Sequence, residues 1–220
     1  GASELVELDA AVIALQSKLR ETVEQVVESR IAESHARLRA LRLQIQPHFF
    51  YNVMNTISSM AYEKMTEEIA ALAESFSGVM RYVLQEGEDV VSVETEFEFL
   101  RNYLQCIKFR FANDFYYSVK AKGDAGTAQI PRLITQPVVE NAVKYVTTVE
   151  SPWQVLVTAQ REGRNTRIEI SDNGPGATTS MNDSFQPEGL GIGLHSVQER
   201  LRGFGNGNSS MNIGLNKSRG

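Results

Sequence analysis

Gln44-Ile45-Gln46-Pro47-His48-Phe49-Phe50-Tyr51-Asn52 interrupts a long helical pattern with a proline and follows it directly with a histidine. Pro47 has no amide hydrogen, and its ring crowds the carbonyl of Leu43, so a bend is expected where His48 sits. An imidazole titrates near neutrality, so a histidine here offers an unprotonated nucleophile under physiological conditions. Read by itself, the stretch fits equally well a kinked core helix with a histidine left on its surface.

The flanks narrow the choice. Upstream, Leu8, Val12, Leu15, Leu19 and Val26 keep the spacing of a coiled-coil seam. Ile31, Leu38 and Ile45 then start a second seven-residue series, with Leu41 between, and such a break in phase changes supercoiling locally. Neither glycine nor proline occurs between Glu4 and Gln46, so one long helix is expected. So narrow a stripe needs a partner helix, most simply the same helix of a second subunit; packing against its own domain is the other arrangement. Downstream, Phe50, Val53, Met54, Ile57 and Met60 continue the pattern to a break at Tyr62 to Thr66. Thr66 is a candidate N-cap, with Glu67 and Glu68 favourable for the helix dipole. A second helix follows, with Ile69, Leu72, Phe76, Val79, Met80 and Val83 on one face and an end near Gly87. Two helices so connected form an antiparallel hairpin, and two hairpins a four-helix bundle. Glu86 to Asp89 reads as an interdomain linker.

Beyond it the pattern mixes helices and strands. Phe97, Leu100, Leu104, Ile107 and Phe111 mark a helix from about Glu94 to Arg110. Phe115 to Lys122 reads as a strand, and Pro131 as the start of a helix running to about Val146. Trp153 to Gln160 and Thr166 to Ser171 alternate as two strands around a turn at Glu162 to Asn165. Ala177 to Glu188 reads as a mobile loop, Gly193 to Arg202 as a helix, and Met211 to Leu215 as a last strand.

Composition excludes some classes. Hydrophobic content of 42% and charged content of 22% are those of a soluble globular protein. A net charge of -5 argues against nucleic-acid binding. The single cysteine, Cys106, cannot form an intramolecular disulfide; it reads as a small core residue and fits a reducing compartment. No apolar run approaches the ~20 residues a membrane span needs. Gly1-Ala2-Ser3 reads as the remnant of a cleaved tag, so a longer parent protein is expected. His35 and His195 have no metal-ligand spacing and read as surface residues.

Three segments of the second half carry chemistry. In Gln136 to Tyr145, helical spacing turns Glu140, Asn141 and Lys144 toward one side; lysine offers charge to phosphate, and an amide oxygen can ligate Mg²⁺. Asp172-Asn173-Gly174-Pro175-Gly176 follows a strand, where a carboxylate can accept from an amino group such as adenine's and glycines let a ligand approach the backbone. Gly189-Leu190-Gly191-Ile192-Gly193-Leu194 opens a helix whose free amides can bind phosphate. Each of the last two is also a good turn in its own right. The ordered set is far more specific than any member.

With the histidine box, this set resembles the LytS-like sensor histidine kinases, over about Leu41 to Gly205. Gln46 to Asn52 matches their phosphoacceptor box, Glu140-Asn141 the N box, Asp172 to Gly176 the G1 box and Gly189 to Leu194 the G2 box. The resemblance implies a multi-domain chain: an all-α coiled coil (1–44), a histidine-phosphotransfer hairpin in a dimeric four-helix bundle (45–88), and an α/β-sandwich Bergerat ATP-binding domain of the GHKL type (89–220), the fold of Hsp90, DNA gyrase and MutL. It implies ATP and Mg²⁺ as cofactors, a homodimer, and transfer of phosphate from His48 to a response-regulator aspartate. It further implies a cytoplasmic fragment, itself out of membrane contact, of a bacterial protein anchored in the cell membrane. Asn141 would hold Mg²⁺, Asp172 would read the adenine amino group, and Lys144 would face the phosphates. Gly174, Gly176, Gly189, Gly191, Gly193 and Leu194 would line the pocket, with Ala177 to Glu188 as its lid. Glu140 would relay a proton or merely hold a structural hydrogen bond, and Asn52, one helical turn beyond His48, would orient water for phosphatase chemistry or simply face solvent.

Three departures from the family pattern stand out. The Gly-Thr and closing apolar strand expected after the G2 helix are replaced by a polar tail, Asn206 to Gly220. Tyr145 stands where the family more often has histidine. Phe49 follows His48, where many other histidine kinases carry an acidic residue. Two further readings remain: a GHKL-type ATPase whose helical half only dimerises, and a degenerate kinase acting as a dimeric partner-binding module.

Overall fold

Helix α1 (Pro47–Tyr62) and helix α2 (Thr66–Leu84) are joined by Glu63, Lys64 and Met65. Lys64 takes a left-handed conformation (φ 60°). The amides of Lys64 and Met65 then donate back to Ala61 and Met60, at 3.2 and 2.9 Å. This is a Schellman closure, with methionines at both positions that the motif brings into apolar contact. The closure explains a departure from expectation. Met65 holds the N-cap position of α2 without any side-chain cap, and Thr66 is the first helical residue instead. The helix ends at Leu84 rather than near Gly87, because Gln85 turns extended (ψ 121°).

The computed structural model describes residues 16–23, 25, 47–85, 87, 89–176, 192–204 and 209–212. Two compact units divide it, Gly1–Phe50 and Tyr51–Gly220. In the first, residues 16–23 are helical, and Leu19 of the seam lies 64% exposed. The rest of the seam and its break in phase lie outside the described residues, as does the turn before Pro47 where the bend is expected.

The second unit holds β1 (Val90–Ser92), α3 (Val93–Phe111), β2 (Phe115–Ala121), β3 (Gln129–Pro131), α4 (Gln136–Val146), β4 (Trp153–Glu162), β5 (Asn165–Asp172) and α5 (Ile192–Gly203). Strands β2, β4 and β5 form one sheet in that order, β2 parallel to β4 and β4 antiparallel to β5. Helix α3 lies against β2, and α4 against β4 and β5. Alternation sets the faces: Phe115, Val119, Val155, Val157 and Ala159 are buried, while Tyr116, Gln154 and Leu156 are exposed. β1 and β3 pair separately and antiparallel, Val90 opposite Pro131. Pro131 therefore closes a short strand, where a missing donor is tolerated. The proline at the start of α4 is Pro137 instead.

Helix α3 starts on a true cap: Ser92 Oγ accepts from the Thr95 amide at 3.1 Å. It carries two buried stripes rather than the one its apolar periodicity shows. Phe97, Leu100, Leu104 and Ile107 form the expected stripe, and Glu96, Phe99, Tyr103 and Cys106 are buried as well. Phe99 stacks on Tyr82 of α2 at 4.8 Å between ring centroids. A helix covered on both sides is an interior element, which places α3 between α2 and the sheet. Among the described residues no helix is long and apolar enough to cross a membrane. Residues 211 and 212 are described outside any strand, and 213–215 lie outside the described residues.

Cys106 is 3% exposed, and burial pushes its thiol up to about 12. Since the thiolate is the reactive form, a soluble alkylating reagent at pH 8 should modify the folded chain only as fast as it unfolds. Labelling with stopped denaturant titration checks this. Rapid modification in buffer, without loss of helical signal, would show that α3 is not packed on both sides.

Candidate functional site

Helix α4 carries Glu140, Asn141 and Lys144. Asn141 is half-buried, and Lys144 is exposed with its Nζ 5.5 Å from the ring centroid of Tyr145. Glu140 is not turned loose toward solvent: Gln136 Nε2 donates to its Oε1 at 2.8 Å across one helical turn. Burial, and next the charge of Glu140, push the Tyr103 hydroxyl above the usual phenol range.

The C-terminal end of α4 meets the Asp172 turn. Asp172 is the last residue of β5 and pairs with buried Val155, and Ile170 before it pairs with buried Val157. Strand parity therefore sends Asp172 to the helix-covered face of the sheet. Its Oδ1 accepts from the Gly174 amide at 2.8 Å. Asn173 holds the turn in place by acting as an extra strand residue. Its backbone amide donates to the Gln154 carbonyl at 3.2 Å, and its Oδ1 accepts from the Gln154 amide at 2.8 Å. Its Nδ2 donates to the Pro152 carbonyl at 2.8 Å. A side chain at Gly174 would lie 2.7 Å from Asp172 Oδ1 and 3.2 Å from backbone atoms of Tyr145 and Val146. Glycine is required there because the turn rests directly on the end of α4.

The N-terminal end of α4 meets the helix that follows the second glycine segment. A side chain built at Gly193 would touch Pro137 at 3.4 Å. Arg200, further along α5, donates to the carbonyl of Arg132 just before α4. Leu194 is 6% exposed, so in this arrangement it packs in the core. Gly176 has φ 79° at the exposed end of the Asp172 turn. Gly189, Gly191 and the expected lid, 177–188, lie outside the described residues. Thus α4 gathers Asn141, Lys144, Asp172, Gly174 and Gly193, while His48 belongs to the first compact unit.

Residues missed by sequence reading surround the approach to α4. Glu96 is wholly buried and accepts four hydrogen bonds. Tyr82 Oη donates to its Oε2 at 2.6 Å and the Leu133 amide to the same oxygen at 2.8 Å. The Thr135 amide and Thr135 Oγ1 donate to Oε1 at 3.1 and 2.7 Å. The only sequence signal was its membership of the second α3 stripe. Among the described residues no three His, Cys, Asp or Glu side chains gather to hold a metal by themselves. A single half-buried amide at Asn141 fits Mg²⁺ that arrives with the phosphates and waters of a nucleotide.

The described residues place a mixed α/β sheet domain after two successive helices in the chain. Two family models match in that order: "Histidine kinase" over residues 36–115, and "Histidine kinase-, DNA gyrase B-, and HSP90-like ATPase" over residues 126–218. The chain belongs to the LytS-like sensor histidine kinases. It is 28% identical to the sensor histidine kinase YesM of Bacillus subtilis (strain 168), over 85% of this chain and 32% of that protein. It is 29% identical to the sensor histidine kinase BtsS of Escherichia coli (strain K12), over 77% of this chain and 29% of that protein. The sensor protein kinase HptS of Staphylococcus aureus (strain USA300) is 27% identical over 81% of this chain and 37% of that protein. The chain thus spans about a third of the length of these relatives.

Gly174→Ala should displace the Asp172 turn from α4 and lower stability by about 1–3 kcal/mol, the usual effect of overpacking. Urea denaturation of the two proteins measures it, and equal midpoints would show that the turn does not rest on the helix as described.

Proposed function

We propose that this chain is the phosphotransfer and catalytic part of a two-component sensor kinase, which transfers the γ-phosphoryl group of ATP to His48 and then to a response-regulator aspartate. The observation that carries the reading is the meeting of the Asp172 turn and the Gly193 helix at opposite ends of α4, in a chain that also exposes His48 on α1 beside the buried anchor Phe49.

In this reading Asp172 selects the adenine amino group, and Gly174 and Gly176 let the base approach the backbone. Lys144 and the amides at the start of α5, with Gly189 and Gly191 before them, face the phosphates. Asn141 would hold Mg²⁺, which when bound neutralises phosphate charge. A ring nitrogen of His48 attacks the γ-phosphorus; the new N–P bond forms as the P–O bond to ADP breaks, and the ring proton leaves to water. Positioning and charge neutralisation supply most of the catalysis in such a transfer. Phe49, following His48, offers no adjacent base. Glu140 serves better as a structural group than as a proton relay, because Gln136 already engages it. The same phosphoryl group then passes to a carboxylate oxygen of the partner.

The active form is a homodimer joined through the hairpin and the upstream seam; exposed Leu19 is the described residue that supports this. Signals from the remainder of a longer parent protein would enter as a rotation or register shift of that seam, altering the helix around Pro47.

His48→Gln should abolish acid-labile, base-stable labelling from γ-labelled ATP while nucleotide binding persists. Acid-labile label retained in that variant would falsify the assignment of the acceptor. Binding without any label in the wild-type chain would instead favour a partner-binding module. Asn52→Ala should slow dephosphorylation of the partner at least tenfold and leave autophosphorylation within about twofold; parallel loss of both rates removes any separate role for Asn52.

A further inference from the structure

Four donors converge on one buried carboxyl group, and they come from two different parts of the protein. Tyr82 belongs to α2, the second helix of the hairpin. Leu133 and Thr135 belong to the segment that leads into α4. Glu96, on α3 between them, accepts two bonds on each oxygen, which fills the lone-pair positions of a carboxyl group. No donor can withdraw without leaving an acceptor unmet in a site shut off from water.

Arg132 adds a second tie between the same parts. Its guanidinium carbon lies 4.7 Å from the centroid of the Tyr82 ring. Its Nη1 donates to the Gln85 carbonyl, just past the end of α2, and its amide donates to the Asp89 carbonyl at 3.0 Å. Its own carbonyl accepts from Arg200 of α5. Among the described residues its Nε and Nη2 are buried with no hydrogen-bond partner. The guanidinium is thus held by stacking and one bond rather than by a full set. The cluster therefore holds the end of α2 at two points, through Tyr82 on Glu96 and through Arg132 on Tyr82 and Gln85.

We propose that Glu96 is a positioning residue: with Tyr82 and Arg132 it forms the joint through which the last turn of α2 and the nucleotide-contacting helix α4 sense one another. The inference rests on the reading of α4 as a nucleotide-binding helix. A tie this strict transmits stability rather than displacement: nucleotide bound at α4 stabilises the last turn of α2, and by reciprocity the stability of that turn alters nucleotide affinity.

Hydrogen exchange of the full chain, with and without a non-hydrolysable ATP analogue and Mg²⁺, tests this at residues 79–85. The wild-type chain should change its exchange there when the analogue binds. Tyr82→Phe keeps the ring and its stacking but removes one donor; it should abolish that response while analogue affinity stays within twofold. Thr135→Val should weaken analogue affinity about tenfold, and Thr135→Ser, which keeps the hydroxyl, should restore it. A buried residue of purely structural importance would lower thermal stability in both the valine and phenylalanine variants without separating these two readouts. A wild-type response that survives in Tyr82→Phe overturns the inference, as does analogue binding with no response at residues 79–85. A wild-type chain that binds no nucleotide overturns the functional reading of α4 and the inference with it, so the two failures are distinguishable.

Discussion

A carboxyl group removed from water must be met by donors, and the position of Glu96 obliges three separate pieces of chain to meet it. Tyr82, Leu133 and Thr135 all lie far from Glu96 in sequence, yet all bond to it. Leaving a buried acceptor of such a set unmet costs roughly 1–3 kcal/mol, and more where the acceptor is charged, against about 1 kcal/mol for an ordinary hydrogen bond. The penalty fixes α2, α3 and the entry to α4 together more strictly than apolar packing alone would. Apolar surface tolerates sliding, whereas a four-donor carboxyl tolerates almost none. Burial and the neighbouring Glu96 also push the Tyr82 hydroxyl above the usual phenol range. Tyr82 consequently remains a donor above the pH at which a free phenol ionises.

The same constraint explains what could be read from the sequence and what could not. Strands β4 and β5 were legible because one face is buried and the other is wet, which writes a period of two into the chain. The apolar stripe Phe97, Leu100, Leu104, Ile107 was legible for the analogous reason on a helix. The second stripe was not, since it begins with a glutamate and ends with a cysteine, and its cover comes from α2 rather than from the sheet. Strands β1 and β3, three residues each, are too short to show a period. Pro131 looked like a helix start because its own preference does not reveal its partner, Val90. Thr66 looked like a cap because the Schellman closure one residue earlier depends on Lys64 adopting a positive φ, which its residue type does not announce. At the site, Asp172 was legible as a carboxylate ending a strand. The role of Asn173 was not, because its bonds run to Gln154 and Pro152, which no local pattern connects to it.

Helix α4 emerges as the common wall of the site, and each of its ends is fixed differently. At the C-terminal end, close approach does the work: Gly174 lets backbone meet backbone, and Asn173 extends the sheet so that the turn cannot drift. At the N-terminal end, hydrogen bonds do it, through Thr135 on Glu96 and through Arg200 on Arg132. A helix pinned at both ends can hold Asn141 and Lys144 steady between them, which is the preorganisation that charge-neutralising catalysis needs. On the phosphotransfer reading, the remaining freedom lies elsewhere. His48 belongs to the other compact unit, and attack on phosphorus requires approach to about 3–3.5 Å in line. On that reading the pinned helix α4 would determine what is bound, and the approach of the histidine on α1 would determine when it reacts.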